Sequence, residues 1–455
     1  MLKTVNPATG QEIARYTELS LAQIEERLAS AQKTFTRWRQ EPLQTRASLL
    51  HRLAGAFEEH KEKLARQATM EMGKTYLSAL AEVEKCIACF RHYAKEGPAM
   101  LQDKAYGLSN GGQAEIKFLP LGPILAIMPW NFPYWQVVRF LAPAILAGNV
   151  GLLKHASIVQ GTAAMIEEMT LAADAPPGLF QNLAIGSKAV AQIIDDPRVA
   201  AVTLTGSENA GSAVAAQAGR QLKKVVLELG GSDPFIVMPS ADFDKALKQA
   251  VTARIQNTGQ SCICGKRMIV HADIYDRFQE EFIAAMRAVK AGDPMDVASD
   301  MGPLSSTAQR DTVLQQLEEA KRQGAKLDGG KALPGPGAFM SAGVLTGLPE
   351  GSAFLQEEVF GPVAMLFRVR NIDEAIRIAN DIPYGLGSSI WTEDKAEQTR
   401  FINEIEAGMT AINQMLVSSP EAPFGGIKRS GHGRELGTYG LHEFMNLKTV
   451  LRPGS

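Results

Sequence analysis

The chain has 455 residues, too many for one compact core, so two or three domains are expected. Hydrophobic residues make up 45% and charged residues 21%, the composition of an ordinary globular protein. The formal net charge is −2 with no block of five like charges, so neither nucleic acid nor a membrane surface is expected as partner.

The first residues, MLKTVNPATGQEIARY, lack the basic start and apolar run of a secretory signal. Apolar stretches elsewhere are broken by Gly, Pro or Asn well short of the ~18 residues of a membrane span. A cytoplasmic protein is expected. From Leu21 to about Tyr93 apolar residues recur every three to four positions, which predicts helix. Asn110-Gly111-Gly112 marks a turn between short strand-like runs. Strands and helices then alternate: strand Ile124–Met128, helix Tyr134–Leu146, strand Val150–Leu153, helix Ile158–Leu171 and strand Val199–Leu204. A short helix Ala210–Ala218 leads into strand Val225–Leu229. That order predicts a parallel sheet with helices on both faces. After Gly230-Gly231 the alternation restarts with strand Phe235–Val237 and helix Phe243–Asn257, predicting a second α/β unit to about Arg434. The Gly/Pro-rich stretch Gly329–Gly343 reads as a surface loop.

Four cysteines do not make a disulfide framework; they form two local pairs, Cys86/Cys89 and Cys262/Cys264. Cys86, Cys89 and His92 fall three apart on a helix, and a core stripe explains them better than a metal, which wants four ligands. No metal is expected. In Asn257–Cys264 (NTGQSCIC), Gly259 turns the chain after a helix and brings Cys262 into a loop. Only a thiolate attacks carbonyls, and loop N–H groups help to form one. A buried structural Cys fits the same stretch.

Three further stretches carry chemistry. Pro129-Trp130-Asn131-Phe132-Pro133 follows a predicted strand, at the sheet edge where ligands sit. An amide held between prolines can donate to an oxyanion, although a rigid turn would use Asn equally well. Glu228, at an apolar strand end beside Gly230 and Gly231, is placed for a raised pKa and general-base work, or for a salt bridge at a domain junction. Thr205–Gly211 (TGSENAG) joins a strand to a helix, a natural phosphate site, yet neither GxGxxG nor GxxxxGK[ST] occurs in the chain.

Together NPATG, PWNFP, LTGS, LELGGSDP, NTGQSC, EEVFGP and PFGGIKRSGHGRE resemble the aldehyde dehydrogenase superfamily, in the family's order and over essentially the whole chain. MPWNFPYWQVVRF, LLKHAS and LELGGSDPF are most similar to its bacterial succinate-semialdehyde dehydrogenases. The resemblance implies an α/β fold of the aldehyde dehydrogenase kind: a Rossmann-like cofactor domain (1–109 and 122–229), an α/β catalytic domain (230–435) and a small β oligomerisation element (110–121 and 436–455) that makes a homodimer or homotetramer. It implies Cys262 as nucleophile, Asn131 with the Cys262 N–H as oxyanion donors, and Glu228 as the base for thioester hydrolysis. Trp130, Lys154, Ser157, Gly206, Ser207, Glu358 and Phe360 would bind the cofactor, and Trp135, Arg139 and Ser419 a small aldehyde with a carboxylate at its far end. Gln256 stands where some relatives carry a second arginine, so Arg139 is the one cation the resemblance supplies there. Ser157 stands where NAD-preferring relatives often have Glu, so NADP is expected over NAD. Some relatives with this CxC spacing are redox-sensitive and others lack the second Cys, which makes Cys264 the expected redox partner of Cys262 in a loop bent for the bridge, or else a residue that packs beneath that loop.

Overall fold

The computed structural model describes residues 1–349 and 351–453. Two sheets dominate it. The first has six strands in the order Gly431–His432, Lys224–Glu228, Ala201–Thr205, Pro123–Met128, Val150–His155 and Phe180–Asn182, parallel except for the short first strand. The second has seven, in the order Lys326–Gly329, Gly343–Thr346, Val363–Val369, Gly265–His271, Asp233–Val237, Ser389–Trp391 and Ala411–Ile412. Only the Lys326–Gly329 edge strand runs antiparallel in it. This is the α/β architecture that alternating strands and helices produce.

Side-chain alternation explains why helices cover both faces of the second sheet. Phe235 and Val237 join Met268 and Val270 in one core, while Ile236 and Met238 join Ile269 in another. Successive residues of a strand point to opposite faces, and both sets are apolar, so both faces need a cover. The predicted 21–93 helical region is four helices: Leu21–Trp38, Leu43–Glu59, Lys61–Met72 and Tyr76–Met100. They pack on the first sheet in one continuous core that contains Cys86 and Cys89, both fully buried. Burial pushes both thiols up, so they stay neutral.

Three details differ from the sequence expectations. The N-terminus forms a hairpin of Leu2–Val5 and Glu12–Tyr16, too short and mixed for a periodicity signal. The Gly329–Gly343 stretch is no free surface loop: Ala338 and Met340 are fully buried, and the Ala338 N–H donates to the Pro7 carbonyl. The 243–257 helix ends at Ile255, and Asn257 and Thr258 turn left-handed.

A separate antiparallel sheet joins Lys104–Gly107, Gln113–Pro120 and Met445–Arg452. The hairpin thus begins before residue 110, and the C-terminal strand pairs within its own chain. Leu447, Leu451 and Tyr106 are exposed on this sheet. No described helix is long and apolar enough to cross a membrane.

Candidate active site

The loop that carries Cys262 is held in a costly shape. Asn257, Thr258 and Gly259 have φ of 53°, 57° and 72° in succession. For the two non-glycine residues this conformation costs of order 1–3 kcal/mol each, so the surroundings must over-determine it. They do. Asn257 Nδ2 donates to the Asn131 and Gln260 carbonyls at 2.7 and 3.0 Å, and Gln260 Oε1 accepts from the Ser305 N–H. A Cβ on Gly259 would lie 2.4 Å from the Gly361 carbonyl, so only glycine lets the loop rest on that segment. Lys266, fully buried, donates to the Ser261 and Cys262 carbonyls at 2.8 Å and pairs with Glu358 at 3.0 Å.

Cys262 is half-buried, and burial pushes its thiol up to about 12 despite the opposing pull of Arg139 and Lys266. At rest it is a thiol that needs a proton acceptor. Cys264 is fully buried and its thiol donates to the Gln256 carbonyl at 3.5 Å. Both are free thiols, and a bridge between them would first have to break that bond.

Asn131 reaches the same place from the other sheet. It is buried, and its Nδ2 donates to the Gln260 carbonyl at 3.1 Å, which leaves the second N–H of the amide for another acceptor. The following helix, Trp135–Ala147, is buried along its whole length. Its first N–H groups have no partner inside the helix, and Glu82 Oε1 accepts from Tyr134 and Trp135 at 2.8 and 2.9 Å. Glu82 in turn forms a fully buried ion pair with Lys74, whose ammonium lies 4.1 Å from the Phe132 ring centre.

Glu228 ends its strand fully desolvated, with neither carboxylate oxygen hydrogen-bonded among the described residues. Burial first, and the Glu435 carboxylate second, push its pKa well above the usual range. Glu435 forms a buried ion pair with Arg139, which also donates to Thr205 Oγ1 at 3.2 Å and stacks on Phe424.

Two cavities meet at Cys262. One, of about 280 Å³, is lined by Trp130, Asn131, Gly206, Ser207, Glu358 and Phe360 among others. Trp130 and Phe360 meet edge to face at 5.8 Å. Ser207 caps the 13-residue helix Glu208–Arg220, and a Cβ on Gly206 would meet only Leu204, so the helix N-terminus is open to a phosphate. Its lining suits the pyrophosphate and nicotinamide end of a dinucleotide. Lys154 and Ser157 follow at the C-terminal end of the neighbouring strand, the edge where open parallel sheets take ligands. The other cavity, of about 150 Å³, is lined by Trp135, Arg139, Gln256, Cys262, Ser418 and Lys85 among others.

Cys262 and Asn131 thus line the larger cavity with Trp130, Gly206, Ser207, Glu358 and Phe360, while Trp135 and Arg139 line the smaller one with Cys262; Glu228 lines neither and lies beside Arg139 and Glu435. Ser419 is placed elsewhere: the consecutive residues Val417 and Ser418 line the smaller cavity, while the Ser419 hydroxyl hydrogen-bonds Glu421 two residues on. Sequence reasoning missed Glu435, Lys266 and Lys85. The first lies in the recognised PFGGIKRSGHGRE stretch and was available there; the other two stand beside another charge in the sequence, Arg267 and Glu84, and gave no signal. No group of three or more metal-ligating side chains occurs among the described residues.

Comparison with known proteins agrees with this geometry. The aldehyde dehydrogenase family model matches residues 1–450. The chain is 51% identical over 453 residues to the succinate-semialdehyde dehydrogenase [NADP(+)] of Mycobacterium avium, covering 99% of this chain and 96% of that one. It is 50% identical over 452 residues to succinate-semialdehyde dehydrogenase [NADP(+)] 1 of Mycobacterium tuberculosis, covering 99% of both. The succinic semialdehyde dehydrogenase of Streptococcus pyogenes, solved with NADP+, superposes with a TM-score of 0.97 at 38% identity over 100% of both chains. Betaine aldehyde dehydrogenase of Staphylococcus aureus, solved with NAD+, superposes at 0.95 with 30% identity over 99% of this chain and 93% of that one, so the fold does not by itself choose the aldehyde. Two cavities joined at a loop cysteine, on a fold and sequence shared end to end with these enzymes, place the chain in the aldehyde dehydrogenase family.

Proposed function

We propose that this protein oxidises succinate semialdehyde to succinate with NADP, through a covalent intermediate on Cys262. The observation that carries this reading is that Cys262 lines both cavities, one suited to the pyrophosphate and nicotinamide end of a dinucleotide and one small and cationic. The Cys262 sulfur attacks the aldehyde carbon, and its proton passes to Glu228. The second N–H of Asn131 and the Cys262 backbone N–H hold the oxyanion that forms. Glu358 and Phe360 would hold the nicotinamide ribose of the dinucleotide, Lys154 and Ser157 its adenosine ribose, and Trp130, Gly206 and Ser207 its pyrophosphate; when bound, it would supply the hydride acceptor. Loss of hydride leaves a thioester on Cys262. Glu228 releases the thiol proton to solvent, then takes a new one from water as the hydroxide adds to the thioester carbon. It returns this proton to the departing sulfur, so the thiol is restored and the acid leaves as its carboxylate with its own proton lost to solvent.

The raised pKa of Glu228 suits both proton transfers, because a weakly acidic carboxyl is a better acceptor when ionised. Ser157 supports NADP: a carboxylate there would repel a 2′-phosphate, whereas Ser157 with Lys154 nearby does not. We assign residues 1–109 and 122–229, apart from the Lys104–Gly107 strand, to cofactor binding, 230–435 to catalysis, and the three-stranded sheet to pairing with a second copy in a cytoplasmic dimer or tetramer. Its outer strands have free edges and exposed apolar side chains, which supports that assignment.

Initial rates for succinate semialdehyde and butanal, each with NADP and NAD, test the reading. Succinate semialdehyde with NADP should give the highest kcat/KM, on the order of 30-fold or more above butanal. Equal values for the two aldehydes would make this a broad-specificity aldehyde dehydrogenase instead.

A further inference from the structure

The smaller cavity contains two cations, and they are not equivalent. Arg139 already has an anion: its guanidinium is paired with Glu435 inside the protein, and its remaining contacts are Thr205 and the Phe424 ring. A substrate carboxylate arriving at Arg139 would have to share it with Glu435, in a region that also contains the Glu228 carboxylate. Lys85 has no such partner. Among the described residues no carboxylate forms an ion pair with it, and its ammonium donates to Ser418 Oγ at 2.6 Å. The same hydroxyl accepts from Trp135 Nε1 at 3.1 Å, and the ammonium sits 4.3 Å from the Trp135 ring centre. Lys85, Trp135 and Ser418 therefore converge from three distant segments on the cavity that ends at the Cys262 thiol.

A cation held in this way and left without an anion favours a ligand that brings one. An ammonium has three donors, and Ser418 takes only one of them. Burial first and the neighbouring Arg139 charge second bring the lysine down to about 8, only partly offset by Glu82, which lines the same cavity but is paired with Lys74. A cavity of about 150 Å³ has room for only a few carbon atoms between the thiol and the ammonium.

We propose that Lys85, fixed by Ser418 and Trp135, is the cation that receives the far-end carboxylate of a short ω-carboxyl aldehyde. It thereby does the work that Gln256 cannot do, while Arg139 balances Glu435 beside the base. This rests on the proposed oxidation of succinate semialdehyde, and the test separates the two.

The quantity to measure is the ratio of kcat/KM for succinate semialdehyde to kcat/KM for butanal, in the wild type, Lys85→Met and Lys85→Arg. Met keeps the stem that packs on Trp135 and removes the charge; Arg keeps the charge. Residual butanal turnover reports that each variant is folded. The proposal expects the ratio to fall roughly 30-fold or more in Lys85→Met, mainly through KM, and to stay within about tenfold of wild type in Lys85→Arg. An unchanged ratio in Lys85→Met, with a selective wild type, overturns the proposal and returns the carboxylate to Arg139. A wild type that does not prefer succinate semialdehyde overturns the functional reading itself, and Lys85 with it.

Discussion

The two cavities that meet at Cys262 are built on different principles. The larger is made of contiguous motifs: Trp130 and Asn131 sit in one loop, Gly206 and Ser207 in another, Glu358 and Phe360 in a third. Its features are backbone ones: strand ends, a helix N-terminus, close approach at glycine. The smaller is made of side chains from separate elements, Lys85 on one helix, Trp135 and Arg139 on another, and Gln256 and Ser418 from two further segments, and its character is set by which charges have partners. The first kind of site is inherited with the fold. The second changes with one substitution, which is how one scaffold serves aldehydes as different as those its relatives are named for.

The comparison can be broken most directly at the shared residue. Cys262→Ala should abolish turnover of every aldehyde while leaving dinucleotide binding intact; more than a few per cent of wild-type kcat would remove Cys262 from the mechanism. Asn131→Ala comes next, with kcat lower by roughly 10²–10³, the usual loss for one oxyanion donor. A change confined to KM would make Asn131 a binding residue instead.

Smaller effects sharpen the contrast. Ser157→Glu acts only on the dinucleotide side, so the NADP:NAD ratio of kcat/KM should fall on the order of tenfold or more, while the preference among aldehydes is kept. No swing toward NAD would sink the assignment of Ser157. The smallest effect is a displaced pH profile. Glu435 raises the pKa of Glu228 by like-charge repulsion, and it also neutralises Arg139, which would otherwise lower it. Replacing Glu435 by Gln removes the first influence and releases the second, and both lower the pKa of Glu228. The acid limb of kcat/KM should therefore move to lower pH. A limb that stays put, or moves up, would mean that Glu228 is not the group being titrated.

This difference in construction also explains what could be read in advance. The α/β order of strands and helices followed from periodicity, because apolar runs bounded by glycine are local signals. Cys262, Asn131 and Glu228 were legible because each lies in a short motif at a loop or strand end. Three things were not. The left-handed turn at Asn257 and Thr258 depends on partners as far away as Asn131 and Ser305, so no local propensity announces it. Ser418 rather than Ser419 faces the cavity because of the course of the loop, which sequence spacing does not fix. Lys85 lies on the same helix as Cys86 and Cys89, which belong to the core, and only the arrival of Trp135 and Ser418 distinguishes it from any other solvated lysine.

The central claim is that Cys262 divides a dinucleotide side from an aldehyde side. A crystal structure of Cys262→Ala soaked with NADP and succinate semialdehyde tests it most directly. The account predicts nicotinamide between Glu358, Phe360 and residue 262, with the aldehyde carbon on the opposite side of residue 262 and its carboxylate toward Lys85 and Ser418. Aldehyde density on the Trp130 and Phe360 side, or dinucleotide in the Trp135 cavity, would contradict it.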